Sequence, residues 1–123
     1  MSTENTQSNA VASDLPELIT LYISLKSASG ANSSDLKAHA VTILSTHFHS
    51  FTITEGTGFF RGEQEPVLIV HVATTLHQQV ADCAAHIRAE LHQEGVGIAF
   101  RGHYLRAIEG HIPQLNSSED SHA

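Results

Sequence analysis

The 123-residue chain has no tryptophan, a single cysteine and only three prolines. With Cys83 alone, no internal disulfide framework can form, and a reducing cytoplasm is the expected location. Basic side chains are scarce: six Lys+Arg stand against thirteen Asp+Glu, a net charge of −7 with histidines neutral. A surface of that sign repels nucleic acid and anionic lipid, so neither is expected as a partner. No apolar run approaches the ~20 residues of a membrane span, and the N-terminus lacks the basic, apolar, small-residue order of a signal peptide, so no membrane insertion is expected. Walker loops, dinucleotide-binding glycine fingerprints and activated-nucleophile motifs are also missing. What is left as company is a small-molecule or anionic ligand, a cation or a protein target.

What the chain does contain is one domain's worth of apolar residues, 41%. The ends dilute it. MSTENTQSNAVASD and NSSEDSHA are polar and small, which predicts disordered tails over 1–15 and 113–123 and a folded domain over 16–112. Ten histidines are unusual for this length.

LITLYISLK (18–26) alternates Ile19, Leu21, Ile23 and Leu25 with Thr20, Tyr22, Ser24 and Lys26, the period of a strand with one buried face. After SASGANSS, with Ser33 or Ser34 as N-cap, Leu36, Ala40, Ile43, Leu44 and Phe48 form an amphipathic helical stripe. FTIT (51–54) alternates again, and VLIVHVA (67–73) is apolar on both faces apart from His71, so it is expected to be covered on both sides. Thr75 and Gln78 have capping-box spacing ahead of a second stripe, Leu76, Val80, Cys83, Ala84, Ile87 and Leu91, with Gly95 as its C-cap. VGIAF (96–100) reads as a last strand, extended by RGHYLRAIEG. The order β-α-β-β-α-β predicts an α+β, ferredoxin-like sandwich: a four-stranded antiparallel sheet with two helices on one face.

Such a sheet leaves one face open. If Leu68, Val70 and Val72 lie under the helices, Val67, Ile69, His71 and Ala73 share the open face with Tyr22. That much aliphatic surface calls for a cover, and self-association is the usual one. A homo-oligomer is expected.

The run GTGFFRGEQEPVLIVHVATT (56–75) joins a glycine-and-aromatic hairpin to an aliphatic strand and a helix start. In this it resembles the PII/CutA-like group of small ferredoxin-like trimeric proteins. The resemblance implies a homotrimer, with a dimer as runner-up. It also implies a regulatory protein that senses a metabolite or nucleotide at subunit clefts, or else a divalent-metal-binding protein of the CutA kind. The cofactor, if any, is not indicated.

Three groups of residues could carry chemistry. In TEGTGFFRGEQEP (54–66), Gly56, Gly58 and Gly62 allow close backbone approach, Arg61 offers a cation to an anionic ligand, and Phe59 and Phe60 are expected at a subunit boundary. Asp82, His86 and Glu90 stand at i, i+4, i+8 on the outer face of the second helix, spaced to chelate a metal. His71 interrupts an apolar strand; paired with Tyr22 in a cavity over the open face it could serve as a base, as in dimeric monooxygenase-like ferredoxin folds. For each group a structural role is the competing account: a bulged hairpin, a solvated helix face, a satisfied interior histidine.

Overall fold

The computed structural model describes residues 15–26 and 30–115. Seven elements follow one another: β1 (Glu17–Ser24), α1 (Ser33–His47), β2 (Thr52–Phe60), β3 (Glu63–Thr74), α2 (His77–Glu90), β4 (Gly95–Phe100) and β5 (His103–Ile108). They form a small α+β unit with one antiparallel sheet in the order β2-β3-β1-β4-β5. The first four strands hold the ferredoxin-like order. The sheet has five strands, however, not the four expected. Arg101 and Gly102 both take positive φ, 52° and 79°, so RGHYLRAI turns back in a two-residue hairpin and pairs with β4. Left-handed backbone at both turn positions matches the right-handed twist of the flanking strands.

Register sorts the side chains as their alternation requires. Ile19, Leu21 and Ile23 lie opposite Val72, Val70 and Leu68, and all six are buried in the core cluster with the helices. From α1 come Leu36, Ala40, Ile43 and Leu44; from α2 come Val80, Ala81, Cys83, Ala84 and Ile87. Val96, Ile98 and Phe100 complete the layer from β4. Leu115 is buried there too, so the packed chain runs past residue 112. Most of the tails expected at 1–15 and 113–123 lie outside the described residues.

Three local readings are corrected. Asn32, not Ser33 or Ser34, caps α1, its Oδ1 accepting from Asp35 N at 2.8 Å. The Thr75–Gln78 capping box does not form: Leu76 is the N-cap, without a side-chain bond, and stays exposed. Gln78 is drawn away instead, donating to Pro113 O (3.0 Å) and accepting from Leu115 N (2.9 Å), which pins the segment that buries Leu115. Finally, α2 stops at Leu91 with His92 at φ 56°, and Gly95 opens β4 instead of capping the helix.

The glycine-rich stretch 55–66 forms the end of the β2–β3 hairpin, strand on both sides of a tight turn. Strand β2 continues through Phe60 and β3 starts at Glu63, leaving Arg61 and Gly62 as the whole turn, with φ of 52° and 80°. Pro66 lies inside β3. Its main-chain groups point away from β2 toward the end of β1, where Leu25 N donates to its carbonyl at 2.8 Å, so its missing N–H breaks no rung with β2.

Candidate functional site

The open face is where the sequence leaves the sheet bare. On it β2 carries Gly56 and Gly58, and β4 carries Gly95, Gly97 and Ala99. With no side chain at these places, neighbours on adjoining strands lean diagonally across them. Arg106 lies over Gly95, where a Cβ would sit 2.5 Å from its Nη2, and the Tyr104 ring occupies the place a Cβ at Gly97 would take. Likewise a Cβ at Gly58 would sit 2.8 Å from Val67 Cγ2 and one at Gly56 3.1 Å from Ile69 Cδ1. The result is a groove of about 820 Å³, inside the range of small-molecule sites.

Its walls are aromatic and its rim is charged. Tyr22 and Tyr104 meet with ring centroids 6.2 Å apart and planes at 52°. The end of the β2–β3 hairpin extends past the end of β1 and reaches the β4–β5 side. There Phe60 stands 4.9 Å from the Arg61 guanidinium and 5.9 Å from that of Arg106. Arg61 Nη2 comes within 3.6 Å of Glu94 Oε2, closing that end of the groove. Glu65, Lys26 and the segment His92–Glu94 also line it. Lys26 and Glu63 pair at 2.9 Å; each shifts the other, the lysine upward and the carboxyl downward. Both are exposed, so this pair adds little to stability.

Of the residues singled out from sequence, Tyr22, Gly56, Gly58, Phe59 and Phe60 line the groove. Arg61 and Gly62 form the turn at its edge, and Arg61 is engaged with Glu94 instead of standing free for an anion. Phe59 and Phe60 both stay exposed, Phe59 at 72% of its surface. His71 is not joined to Tyr22. Its Nδ1 lies 3.0 Å from Thr20 Oγ1, beside Thr52 in register and outside the groove lining, so the expected His71–Tyr22 cavity is not assembled.

The metal stripe is not assembled either. Asp82 accepts from Gln78 Nε2 at 3.4 Å, His86 Nδ1 faces His47 Nε2 at 3.3 Å, and Glu90 approaches His39 at 3.4 Å. Three residues in line along one helix each found a different neighbour. Among the described residues no group of three or more metal-ligating side chains gathers. Burial, and then the nearby His86, hold His47 below its ordinary pKa. Cys83 is fully buried on α2 and its thiol is pushed up to about 12 by that burial, which removes it as a nucleophile.

Sequence reasoning missed Gly97, Ala99, Tyr104 and Arg106. The signal was present as two alternations: G-V-G-I-A, small at every second residue, and Y-L-R at the facing positions of the next strand. Reading Gly95 as a helix cap broke the first of them.

No family model matches the chain, and no curated protein matches it. Solved structures share the fold. A phage SAM lyase in its apo state aligns with a TM-score of 0.58 at 12% identity, covering 78% of this chain and 91% of that one. A phage SAM lyase in complex with S-methyl-5′-thioadenosine aligns with a TM-score of 0.51 at 14% identity, covering 77% and 90%. At these identities the likeness is one of fold.

Proposed function

We propose that the open-face groove binds an adenosine-based sulfonium or thioether of the S-adenosylmethionine class. The observation that carries this reading is the lining of the groove: Tyr22, Tyr104 and Phe60 as aromatic faces, with Glu65 among them, over strands stripped to glycine. A sulfonium is a soft cation without N–H donors. Aromatic faces and a nearby carboxylate are the surfaces that favour such a cation. The flat nucleoside needs a wide shallow floor, and the glycines of β2 and β4 widen it. The shared frame supports the same ligand class, since one structural neighbour holds S-methyl-5′-thioadenosine.

The PII/CutA resemblance and this reading agree on a nucleotide-like small molecule and differ over its fate. A PII-type sensor releases its ligand unchanged, whereas a lyase cleaves it. The two-residue Arg61–Gly62 turn leaves no long loop between β2 and β3 with which to signal to a target, which favours chemistry on the ligand over regulation. The homo-oligomer, trimer before dimer, stays part of the proposal, because Phe59 at the rim has 72% of its surface open and a second copy would cover it.

The test is calorimetric titration with S-adenosylmethionine and with S-methyl-5′-thioadenosine, followed by chromatography of the recovered ligand. Saturation at 100 times Kd raises stability by ~2.7 kcal/mol, readily seen in a melting scan. Recovery of the thioether from S-adenosylmethionine, faster than in buffer, assigns a lyase; intact recovery assigns a sensor. No heat and no melting shift with either compound would falsify the reading.

A further inference from the structure

Arg106 is the odd cation of this protein. Of the six Lys and Arg side chains, Lys26 pairs with Glu63, Lys37 with Glu55, Arg61 with Glu94 and Arg101 with Glu17, while Arg88 donates to the Gln93 carbonyl. Arg106 has neither ion pair nor hydrogen bond among the described residues; its guanidinium carbon stands over the Phe60 ring, 5.9 Å from the ring centroid. It is half-buried and its guanidinium lies flat over Gly95, inside the groove. In a chain with more than twice as many acids as bases, leaving a partly desolvated guanidinium without an anion costs free energy. A guanidinium fork is shaped for a planar carboxylate, which it grips through two parallel N–H···O bonds.

From this we propose that the groove reads the free amino-acid end of its ligand, with Arg106 holding the α-carboxylate. The inference rests on the S-adenosylmethionine reading above and adds which end of the molecule lies where. A polyphosphate is the wrong anion for this site. The groove lining carries Lys26 and Arg106 against Glu65 and Glu94, and at its rim Lys26 pairs with Glu63 and Arg61 with Glu94, so it holds no surplus of positive charge for a polyphosphate. One free guanidinium balances one negative charge. The same acids suit an α-ammonium next to that carboxylate, so the charges in the groove complement a zwitterion.

The experiment compares S-adenosylmethionine with S-methyl-5′-thioadenosine, which has the nucleoside and sulfur but no carboxylate, on wild type, Arg106→Gln and Arg106→Lys. The wild-type protein is expected to bind both. Arg106→Gln is expected to weaken S-adenosylmethionine by about 10- to 100-fold, the worth of a charge-assisted hydrogen bond, and to leave the thioether within about twofold. Arg106→Lys should fall between, since it keeps the charge and loses the fork. Should Arg106→Gln fail to fold, the lysine variant carries the comparison alone. An unchanged ratio of the two affinities in either folded variant overturns the assignment of Arg106 while leaving the ligand class standing. A wild-type protein that binds neither compound removes the ligand class, and the carboxylate assignment with it.

Discussion

A methyl group added at Gly97 tests whether the groove depends on bare backbone. The new Cβ of Gly97→Ala would fall inside the Tyr104 phenol, so the ring must leave. It can do so cheaply, because Tyr104 is exposed over 61% of its surface. The fold gains ~0.5–1 kcal/mol from replacing a strand glycine and loses ~0.5–1.5 kcal/mol with the Tyr22–Tyr104 contact. The two nearly cancel, so the melting temperature should move by less than about 5 °C. The groove, by contrast, loses a wall. Ligand affinity should drop about tenfold, the equivalent of 1.4 kcal/mol. Tyrosine circular dichroism gives a readout that needs no ligand. With no tryptophan and two tyrosines, both lining the groove, that signal reports the site alone. It should change in Gly97→Ala and match Tyr104→Ala, and the double variant should add no further loss of affinity. Unchanged tyrosine ellipticity with wild-type affinity would refute the argument. So would a loss of several kcal/mol of stability, which would mean that the strand, not the ring, had moved.

Other outcomes follow from packing and charge. Leu44→Ala, at a fully buried position under the sheet, should cost ~2–5 kcal/mol in denaturant unfolding. Phe59→Ala should cost ~3–5 kcal/mol if a second copy buries the ring, with a melting temperature that depends on protein concentration; light scattering at monomer mass and an unchanged melt would remove the oligomer. Cys83 should resist iodoacetamide at pH 8 until the protein is unfolded, because burial holds the thiol protonated to about 12. Because the folded chain holds His47 below 6.5 while the unfolded chain does not, the unfolded state binds the extra proton. Its contribution is therefore intact above 6.5 and lost as pH falls through the lower folded value. His47→Asn should flatten the decline in stability between pH 7 and 5.

Much of the frame was legible because its signals are local and redundant. Ile19, Leu21 and Ile23 alternate with Thr20, Tyr22 and Ser24, and the observed burial divides them on that line apart from Thr20, which His71 and the neighbouring strands shelter. Burial of Leu68, Val70 and Val72 beneath the helices also follows from alternation alone, since a one-residue slip would expose all three. Caps were less legible because several side chains compete for each. Asn32 outbid two adjacent serines, and Gln78 found partners 35 and 37 residues away that no local spacing shows. The fifth strand hid behind Arg101–Gly102. A turn of that kind is commonest as Asn-Gly or Asp-Gly, and an arginine at positive φ carries no such mark.

The groove was less legible than the frame for a related reason: it is made of what is missing. Glycine in a sequence suggests a turn or a cap, and the first reading of GTG at 56–58 and of Gly95 followed that rule. Here the informative property is parity. Gly56 and Gly58 fall on the same face as Val67 and Ile69, and Gly95 and Gly97 on the same face as Arg106 and Tyr104, so the vacancies on two strands converge on one side of the sheet. A turn glycine is chosen for its backbone angles, but these four have none in the left-handed region; all the positive-φ glycines lie elsewhere, at 30, 62, 102 and 110. Conformational freedom therefore does not explain them. Space does, because each admits a side chain from the adjoining strand, and together they turn a sheet face that should be flat into one that can hold a ligand.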